Sequence, residues 1–200
     1  NREKLLDLRA QLFNQIQDPN VYMRFFTVRD RADEKTDYEF HQPVLQKIYD
    51  KWNNQGLKIF TNTYYLVISV SGQNNREKLN QYCGYIESIL SVYKPKLLKN
   101  DSPDNMSTFF ARVLSPVTRP VINRCDNNIA NNVTVDDVEF LRNGLVKYSS
   151  GDKAYYAAML SFKTAPDYMD EEFFNNISTI QSEMICMNGF HILRNRDIDD

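Results

Sequence analysis

The sequence predicts an α+β fold in which a mostly antiparallel sheet packs against amphipathic helices. Two observations carry this prediction. Apolar residues recur at helical spacing in several segments, and the runs between them are rich in the aromatic and β-branched residues that favour strands. A chain of 200 residues, 42% of them hydrophobic, is long enough to bury a core without disulfides or metal ions. We expect a single domain over residues 1–200, which would divide, if anywhere, within 116–132.

The first part of the chain predicts a helix and then a strand. The helix ends near Asp18, and its apolar stripe is formed by Leu5, Leu8, Leu12 and Ile16. Residues 21–29 are rich in aromatic and branched side chains and predict a strand. The charges over 29–37 are too dense and too mixed in sign to bury, so they predict a solvated loop.

The next segments predict a helix and the strongest strand of the chain. Pro43 suits the first turn of a helix, Gly56 ends the pattern, and Trp52 is expected in the core. Residues 63–71 are apolar on both faces of a strand. This pattern predicts a central strand that is covered on each side.

Two more helices are predicted before the middle of the chain. Asn74 is expected to cap the first of them, with Glu77 completing a capping box, and Pro95 ends it. A shorter helix spans 107–114. Residues 116–132 contain prolines and asparagines without a clear period, which predicts an irregular connection.

The second half predicts an antiparallel meander. Strands over 134–141 and 145–148 flank Asn143-Gly144, a pair that suits a type I′ turn. A turn over 149–152 leads into a third strand, 154–162. A helix capped by Asp170 and a closing strand over 184–193 follow. Strands mixed with crossing helices in this order resemble the βα units of ferredoxin-like domains.

Several functional classes find little support in the composition. The net charge is −2, whereas a dedicated nucleic-acid binder concentrates basic residues. The longest apolar runs are shorter than the roughly 20 residues of a spanning helix. Cys83, Cys125 and Cys186 lack the spacing of paired or metal-binding cysteines, which suits a reducing compartment. We therefore expect a cytoplasmic protein without a direct membrane span and without nucleic acid as a partner.

The motifs of enzymes and cofactor sites do not occur in the chain. Its six glycines form no phosphate loop, dinucleotide fingerprint or hydrolase elbow, and Gly151-Asp152-Lys153 suits a turn between strands. His41 and His191 lack metal-ligand spacing, and Cys186 and His191 fall on opposite faces of one strand. We expect no catalytic, cofactor-binding or metal-binding residue. Three acidic clusters have structural explanations: Asp136-Asp137-Glu139, Asp170-Glu171-Glu172 and Asp197-Asp199-Asp200.

Two basic groups leave two interpretations open. Each is either a solvated rim or a surface that docks an acidic partner or anionic lipid headgroups. The exposed meander adds a third mode of interaction, in which another chain pairs with its edge. The basic residues are Lys94, Lys96 and Lys99, and Arg112, Arg119 and Arg124.

Four phrases along the chain resemble a known family in their order. They are NTYYLVISVSG from Asn62, YIESILSVYKPKLL from Tyr85, FFAR from Phe109 and KAYYAAMLSFKTAP from Lys153, followed by the strand from Glu183 to Phe190. The chain resembles, over about residues 20–193, the N-terminal region of the type IV secretion ATPases of the CagE/TrbE/VirB family, which includes the ATPase of Dot/Icm systems.

The resemblance implies a role in assembly. In that family this region precedes a RecA-like motor, docks the ATPase on inner-membrane subunits of the secretion apparatus and helps it to oligomerise. ATP and Mg²⁺ are then expected to bind in the motor of the full-length protein and not in this segment. The expected location is cytoplasmic, peripheral at the bacterial inner membrane through partner subunits.

Two alternatives from other classes remain. One is a stand-alone ferredoxin-like enzyme of unknown substrate, with a site built from scattered Tyr, Asp and Arg side chains in a pocket. The other is a reader of single-stranded nucleic acid that stacks bases on exposed tyrosines, against which the net charge counts.

Overall fold

The structure is a computed structural model that describes residues 2–32, 39–53, 59–99, 105–115, 133, 137–161 and 179–191. The chain forms two compact units. Unit 1 comprises Asn1–Pro95 and Phe174–Asp200, and unit 2 comprises Lys96–Phe173. Unit 2 is therefore inserted into unit 1 along the sequence.

Unit 1 combines helices with an antiparallel sheet, in which β1 (Val21–Ala32) lies between β2 (Ile59–Val70) and β6 (Met184–His191). A 3₁₀ turn, Ser91–Tyr93, follows the helix Asn75–Ile89. The elements of unit 1 are α1 (Arg2–Gln15), β1 (Val21–Ala32), α2 (Pro43–Asn53), β2 (Ile59–Val70), α3 (Asn75–Ile89) and β6 (Met184–His191).

The core of unit 1 lies where α1 meets one face of the sheet. Leu12 and Ile16 of the predicted helical stripe are 1% and 0% exposed, and they pack with Val21 and Met23 at the start of β1. Alternate residues of a strand share a face, which is why Val21 and Met23 both point into this core. Partly buried side chains surround it: Phe13, Phe25, Leu66, Ile68, Val70, Tyr82, Ile86, Ile89 and Phe190.

The prediction that residues 63–71 form the central strand is wrong for the described sheet. β1 is central, because it pairs with β2 along one side and with β6 along the other. β2 lies at an edge of the described strands, and its Tyr64 is 72% exposed. An apolar run on both faces indicates partial burial of those faces, but it does not say which strands lie beside it.

The predicted solvated loop from Arg29 is also wrong at its beginning, because β1 continues to Ala32 and Arg29 is only 8% exposed. The Arg29 guanidinium donates hydrogen bonds to Asn62 Oδ1 and to the Ile180 carbonyl oxygen, both at 2.9 Å. It also lies 5.9 Å from the centre of the Phe60 ring. These contacts replace the water that a buried cation loses.

Helix α3 begins where predicted but without the predicted cap. Asn74 is the N-cap residue, yet its φ of 55° places it in the left-handed region and its side chain makes no cap hydrogen bond. A capping side chain requires an extended backbone at that position. The predicted end of the helix at Pro95 is too late, because α3 ends at Ile89 and a 3₁₀ turn, Ser91–Tyr93, lies between it and the proline.

Unit 2 contains one described helix and a three-stranded antiparallel sheet in the order β3-β4-β5. Asn105 caps the helix, because its side-chain oxygen accepts a hydrogen bond from the Thr108 backbone N–H at 2.9 Å. The elements are α4 (Met106–Leu114), β3 (Asp137–Phe140), β4 (Leu145–Ser150) and β5 (Lys153–Ala158).

The predicted meander is confirmed, with a last strand that ends earlier, at Ala158, and with a different first turn, whereas residues 134–136 of the predicted first strand lie outside the described residues. The Gly144 N–H donates to the Leu141 carbonyl at 3.2 Å, and Gly144 has a φ of 80° whereas Asn143 has no positive φ. A type I′ turn needs positive φ at both central residues, so this loop is instead a three-residue turn that ends on a left-handed glycine. Gly151, with a φ of 59°, opens the second turn.

The α+β class with antiparallel sheets is confirmed, and the ferredoxin-like description remains a prediction. In the described sheet, β1 and β2 are antiparallel neighbours joined through α2. Some predictions lie outside the described residues: the connection over 116–132, the helix capped by Asp170, the Trp52 side chain and the end of the last strand beyond His191.

Asp18 holds the corner between α1 and β1. Its Oδ2 accepts hydrogen bonds from the Lys78 ammonium at 2.8 Å and from the Tyr82 hydroxyl at 3.1 Å, and its Oδ1 accepts one from the Asn20 backbone N–H at 2.9 Å. The Lys78 contact, followed by the Asn20 backbone hydrogen bond, lowers the pKa of Asp18 from 3.8 to about 2. One carboxylate thereby ties the corner to α3.

Replacing a core leucine tests the packing of α1 on the sheet. Leu12→Ala is expected to lower the free energy of unfolding by about 3 kcal/mol, because the side chain is 1% exposed and its loss leaves a cavity. Leu45→Ala on α2, where the side chain is 43% exposed, is the matched control, with a loss of less than about 1 kcal/mol. Urea unfolding measures both, and equal losses would contradict this core.

The Asp18 cluster predicts a pH-dependent contribution to stability. The folded-state pKa is depressed, so the carboxylate stabilises the fold above about pH 4 and this contribution is lost as the pH falls towards 2. Asp18→Asn is expected to lower the free energy of unfolding by about 1–2 kcal/mol at neutral pH, a range that allows for solvent screening at the partly exposed Lys78.

Urea unfolding of wild type and Asp18→Asn across this pH range measures the gap, which should narrow at acid pH. Asp7→Asn, at an exposed position of α1, is the control and should leave the free energy of unfolding within about 0.5 kcal/mol of wild type. A gap that stays constant from neutral pH to pH 2 would show that the carboxylate charge is not the source of the stability.

Candidate protein interaction surface

The meander of unit 2 gathers apolar side chains on one face. Residues paired across neighbouring strands share a face, and successive residues of a strand alternate between faces. Val138 pairs with Tyr148, and Tyr148 pairs with Tyr155, so the register aligns these side chains across all three strands. We call the resulting set the apolar meander face: Val138, Phe140, Val146, Tyr148, Tyr155 and Ala157.

The residues of the apolar meander face are accessible to solvent, and Lys153, the first residue of β5, is the one charged residue of the described strands that the register places on the same side of the sheet. Phe140 is 81% exposed and Val138 is 41% exposed, and the other four residues are half-buried. Directly after β5, Met159 and Leu160 are 86% and 91% exposed. Exposed aromatic and aliphatic side chains that lie side by side mark protein interaction sites more often than isolated ones do.

The opposite face of the same sheet has a different character. Glu139 and Lys147 are paired across β3 and β4, and the Lys147 ammonium lies 3.4 Å from the Glu139 carboxylate. Asp137 lies opposite Ser149 on this face. Tyr156 also lies here and is 62% exposed. The sheet therefore has one polar face and one apolar face, each with an exposed aromatic residue.

The outer strands of the meander offer backbone groups as well. β3 and β5 each pair with β4, and in the described part of the chain neither has a second strand as neighbour. The outward-facing N–H and C=O groups of such a strand can pair with an extended segment of another chain. Side-chain contacts on the apolar meander face and backbone pairing at its edges could thus act together.

The cysteines and histidines of the described residues all belong to unit 1. Cys83 and Cys186 are free and half-buried, and burial, with a smaller contribution from Glu87, raises the pKa of the Cys83 thiol. His191 is exposed, and its Nε2 lies 2.9 Å from the Pro19 carbonyl oxygen. The prediction that Cys186 and His191 lie on opposite faces of β6 is confirmed by the register, whereas Cys125 lies outside the described residues.

The other sequence candidates are spread over the surface. Asp137 and Glu139 are exposed on the polar face of β3, and residues 151–153 form the turn into β5, as predicted. Burial lowers the pKa of the half-buried Arg112 in α4. Lys94, Lys96 and Lys99 are exposed. The remaining candidates lie outside the described residues: Asp136, the acidic groups at 170–172 and 197–200, Arg119 and Arg124.

Within the described ranges, no group of three or more His, Cys, Asp or Glu side chains is placed to hold a metal ion. None of the helices in those ranges has both the length and the apolar character needed to cross a membrane. No protein-family model matches the chain, and no curated protein matches it.

The meander was predicted from the sequence, whereas the difference between its polar and its apolar face was not. The signal is present in the sequence, because apolar residues alternate with polar ones at 138 and 140 and again at 146 and 148. The alternation alone does not say whether the apolar face is covered. The exposure of Phe140 supplies that information.

The raised pKa of Cys83 predicts a slow thiol. At about pH 8 its alkylation by iodoacetamide should be slower than that of glutathione, because only the thiolate reacts. Glu87→Gln should increase the rate, since it removes a neighbouring negative charge, and Glu77→Gln in the first turn of the same helix should not. Peptide-resolved mass spectrometry measures the rates. A Cys83 faster than glutathione would indicate an activated nucleophile and favour an enzyme.

Proposed function

We propose that the chain is an assembly and docking module of a type IV secretion ATPase, which promotes self-association and contacts subunits at the bacterial inner membrane. The observation that carries the proposal is the exposed apolar meander face with its open outer strands. The resemblance of four phrases along the chain to the N-terminal region of that family names the assembly.

The chemistry of the apolar meander face suits a protein partner. Interface cores are rich in aromatic residues and poor in charges, and a few aromatic residues commonly contribute most of the binding energy. Phe140 and the two tyrosines of this face have that character. Lys153, the one charged residue on this side of the described strands, lies at the end of β5, where its long side chain can keep the ammonium in water. Phe140 is the most exposed of the six residues, so it has the largest exposed fraction for a partner to bury.

The size of the sheet supports the same conclusion. A three-stranded meander with strands of 4 to 6 residues gains much of its stability from whatever packs on its apolar face. A partner that covers this face and pairs with β3 or β5 would satisfy both the side chains and the outward backbone groups.

In this proposal the chain positions a motor and does no chemistry itself. ATP and Mg²⁺ bind in a RecA-like domain of the full-length protein, and the chain reaches the inner membrane through its partner subunits. The isolated chain is accordingly expected neither to bind nor to hydrolyse ATP.

A charge on the apolar meander face is expected to weaken docking. Phe140→Lys places an ammonium where a partner would bury a ring, and it should weaken binding about thirtyfold, the effect of losing a single strong contact residue. Tyr156→Lys is the matched control, because Tyr156 is an exposed aromatic residue on the polar face of the same sheet. Both proteins should fold, since neither side chain is buried.

Two measurements test the proposal. Sedimentation of the isolated chain over a range of concentrations reports self-association. Cross-linking in the native bacterium, followed by mass spectrometry, identifies partners. We expect cross-linking to recover integral inner-membrane subunits of a secretion apparatus with the wild type and with Tyr156→Lys. With Phe140→Lys these subunits should no longer be recovered. Recovery of no such subunit, or an equal yield with both variants, would contradict the proposal.

A further inference from the structure

We propose that residues 91–99 bind the surface of an anionic lipid bilayer directly. This inference goes beyond the proposed function, in which partner subunits hold the chain at the membrane, and it does not depend on the family resemblance. It rests on the charge, the exposure and the local conformation of a short segment after α3.

The segment carries three positively charged side chains and no negatively charged one. Lys94, Lys96 and Lys99 are all exposed, and the sequence contains no acidic residue between Glu87 and Asp101. Among the described residues, no carboxylate forms an ion pair with any of the three ammonium groups. Two lysines elsewhere, Lys78 and Lys147, do pair with carboxylates. The three charges are therefore available to an anionic partner.

Exposed apolar side chains lie beside these lysines in the sequence, two before Lys94 and one between Lys96 and Lys99. Val92 is 57% exposed, Tyr93 53% and Leu97 58%. Lysine and tyrosine each combine an apolar body with a polar end, which suits the region between headgroups and acyl chains. Peripheral proteins that bind membranes reversibly combine basic residues with inserted apolar ones, because neither contribution is sufficient alone.

The first part of the segment, residues 91–94, forms a hydrogen-bonded turn. The Tyr93 N–H donates to the Leu90 carbonyl at 2.8 Å, and the Lys94 N–H donates to the Ser91 carbonyl at 3.0 Å. Lys94 then adopts a left-handed conformation with a φ of 50° and ends the turn, and Pro95 restricts the backbone that follows. Less conformational entropy is lost on binding when the turn is already formed.

A bilayer fits this surface better than an acidic protein does. An acidic protein surface would pair with the ammonium groups, but it would leave Val92 and Leu97 against polar atoms. The headgroup region of an anionic bilayer offers phosphate charges for the lysines and an apolar layer beneath them for the other side chains. Each lysine close to such a surface strengthens binding about fivefold.

Flotation of the full chain with vesicles tests the inference. Vesicles of phosphatidylcholine alone are compared with equimolar vesicles of phosphatidylcholine and phosphatidylglycerol, at about 0.15 M and about 1 M salt. The wild-type chain should float with the anionic vesicles at the lower salt and not with the neutral ones. The triple variant Lys94→Glu, Lys96→Glu, Lys99→Glu should bind at least about a hundredfold more weakly.

The control variant carries the same change in net charge elsewhere. Lys47→Glu, Lys51→Glu and Arg142→Glu replace exposed basic residues of α2 and of the first meander turn and should leave flotation largely intact. Leu97→Ser should weaken binding while the lysines remain. Phe140→Lys should float like wild type, so that failure of the docking proposal and failure of lipid binding are distinguished.

Three results would overturn the inference. The first is equal flotation with neutral and anionic vesicles. The second is equal loss of flotation in the two triple variants, which would show that net charge alone decides binding. The third is no flotation with either vesicle. Binding to immobilised polyglutamate that requires the three lysines would then assign the segment to an acidic protein partner.

Discussion

The pairing of β6 with β1 is the interaction on which unit 1 depends. It joins the strand Met184–His191 to the central strand of the sheet across most of the chain. The Phe190 ring packs against the rings of Phe13 and Phe25, with centroids 5.0 Å and 5.5 Å apart, so the same strand also completes the core beside α1. Unit 1 cannot finish its sheet until the chain has passed through unit 2, and such long-range pairing is expected to form slowly.

The two units differ in how they bury apolar side chains. Unit 1 has a buried core and a corner held by the Asp18 carboxylate, and both features stabilise its fold. Unit 2 presents a small sheet whose apolar face is exposed at Phe140. An exposed apolar face lowers solubility and promotes aggregation. A partner that covers the face would remove both effects. That reasoning supports an assembly role without assigning any chemistry to the chain.

Local signals in the sequence predicted most element boundaries, because their causes are local. Pro43 begins α2, the Asn143-Gly144 pair lies in the first turn of the meander, and Pro95 follows the end of α3 and its 3₁₀ turn. The wrong predictions depend on residues distant in sequence. Arg29 is buried because Asn62 and the Ile180 carbonyl meet it, and no pattern near Arg29 indicates these partners.

The candidate surface follows the same division. Alternation in β3 and β4 predicts one apolar face, which is a local property. Whether that face is covered depends on the rest of the fold, so its exposure could not be predicted from the sequence. Likewise, the charges of the segment after α3 were evident from the sequence, whereas the exposure of its apolar residues Val92 and Leu97 was not.

Hydrogen exchange of the chain in its assembled state tests the central claim most directly. The claim is that the apolar meander face and its outer strands are covered by a protein partner. It predicts that amide protection over 137–140 and 153–158 rises when the purified chain is compared with the chain in its cross-linked inner-membrane complex. Unchanged exchange in both strands, with new protection confined to other elements, would contradict it.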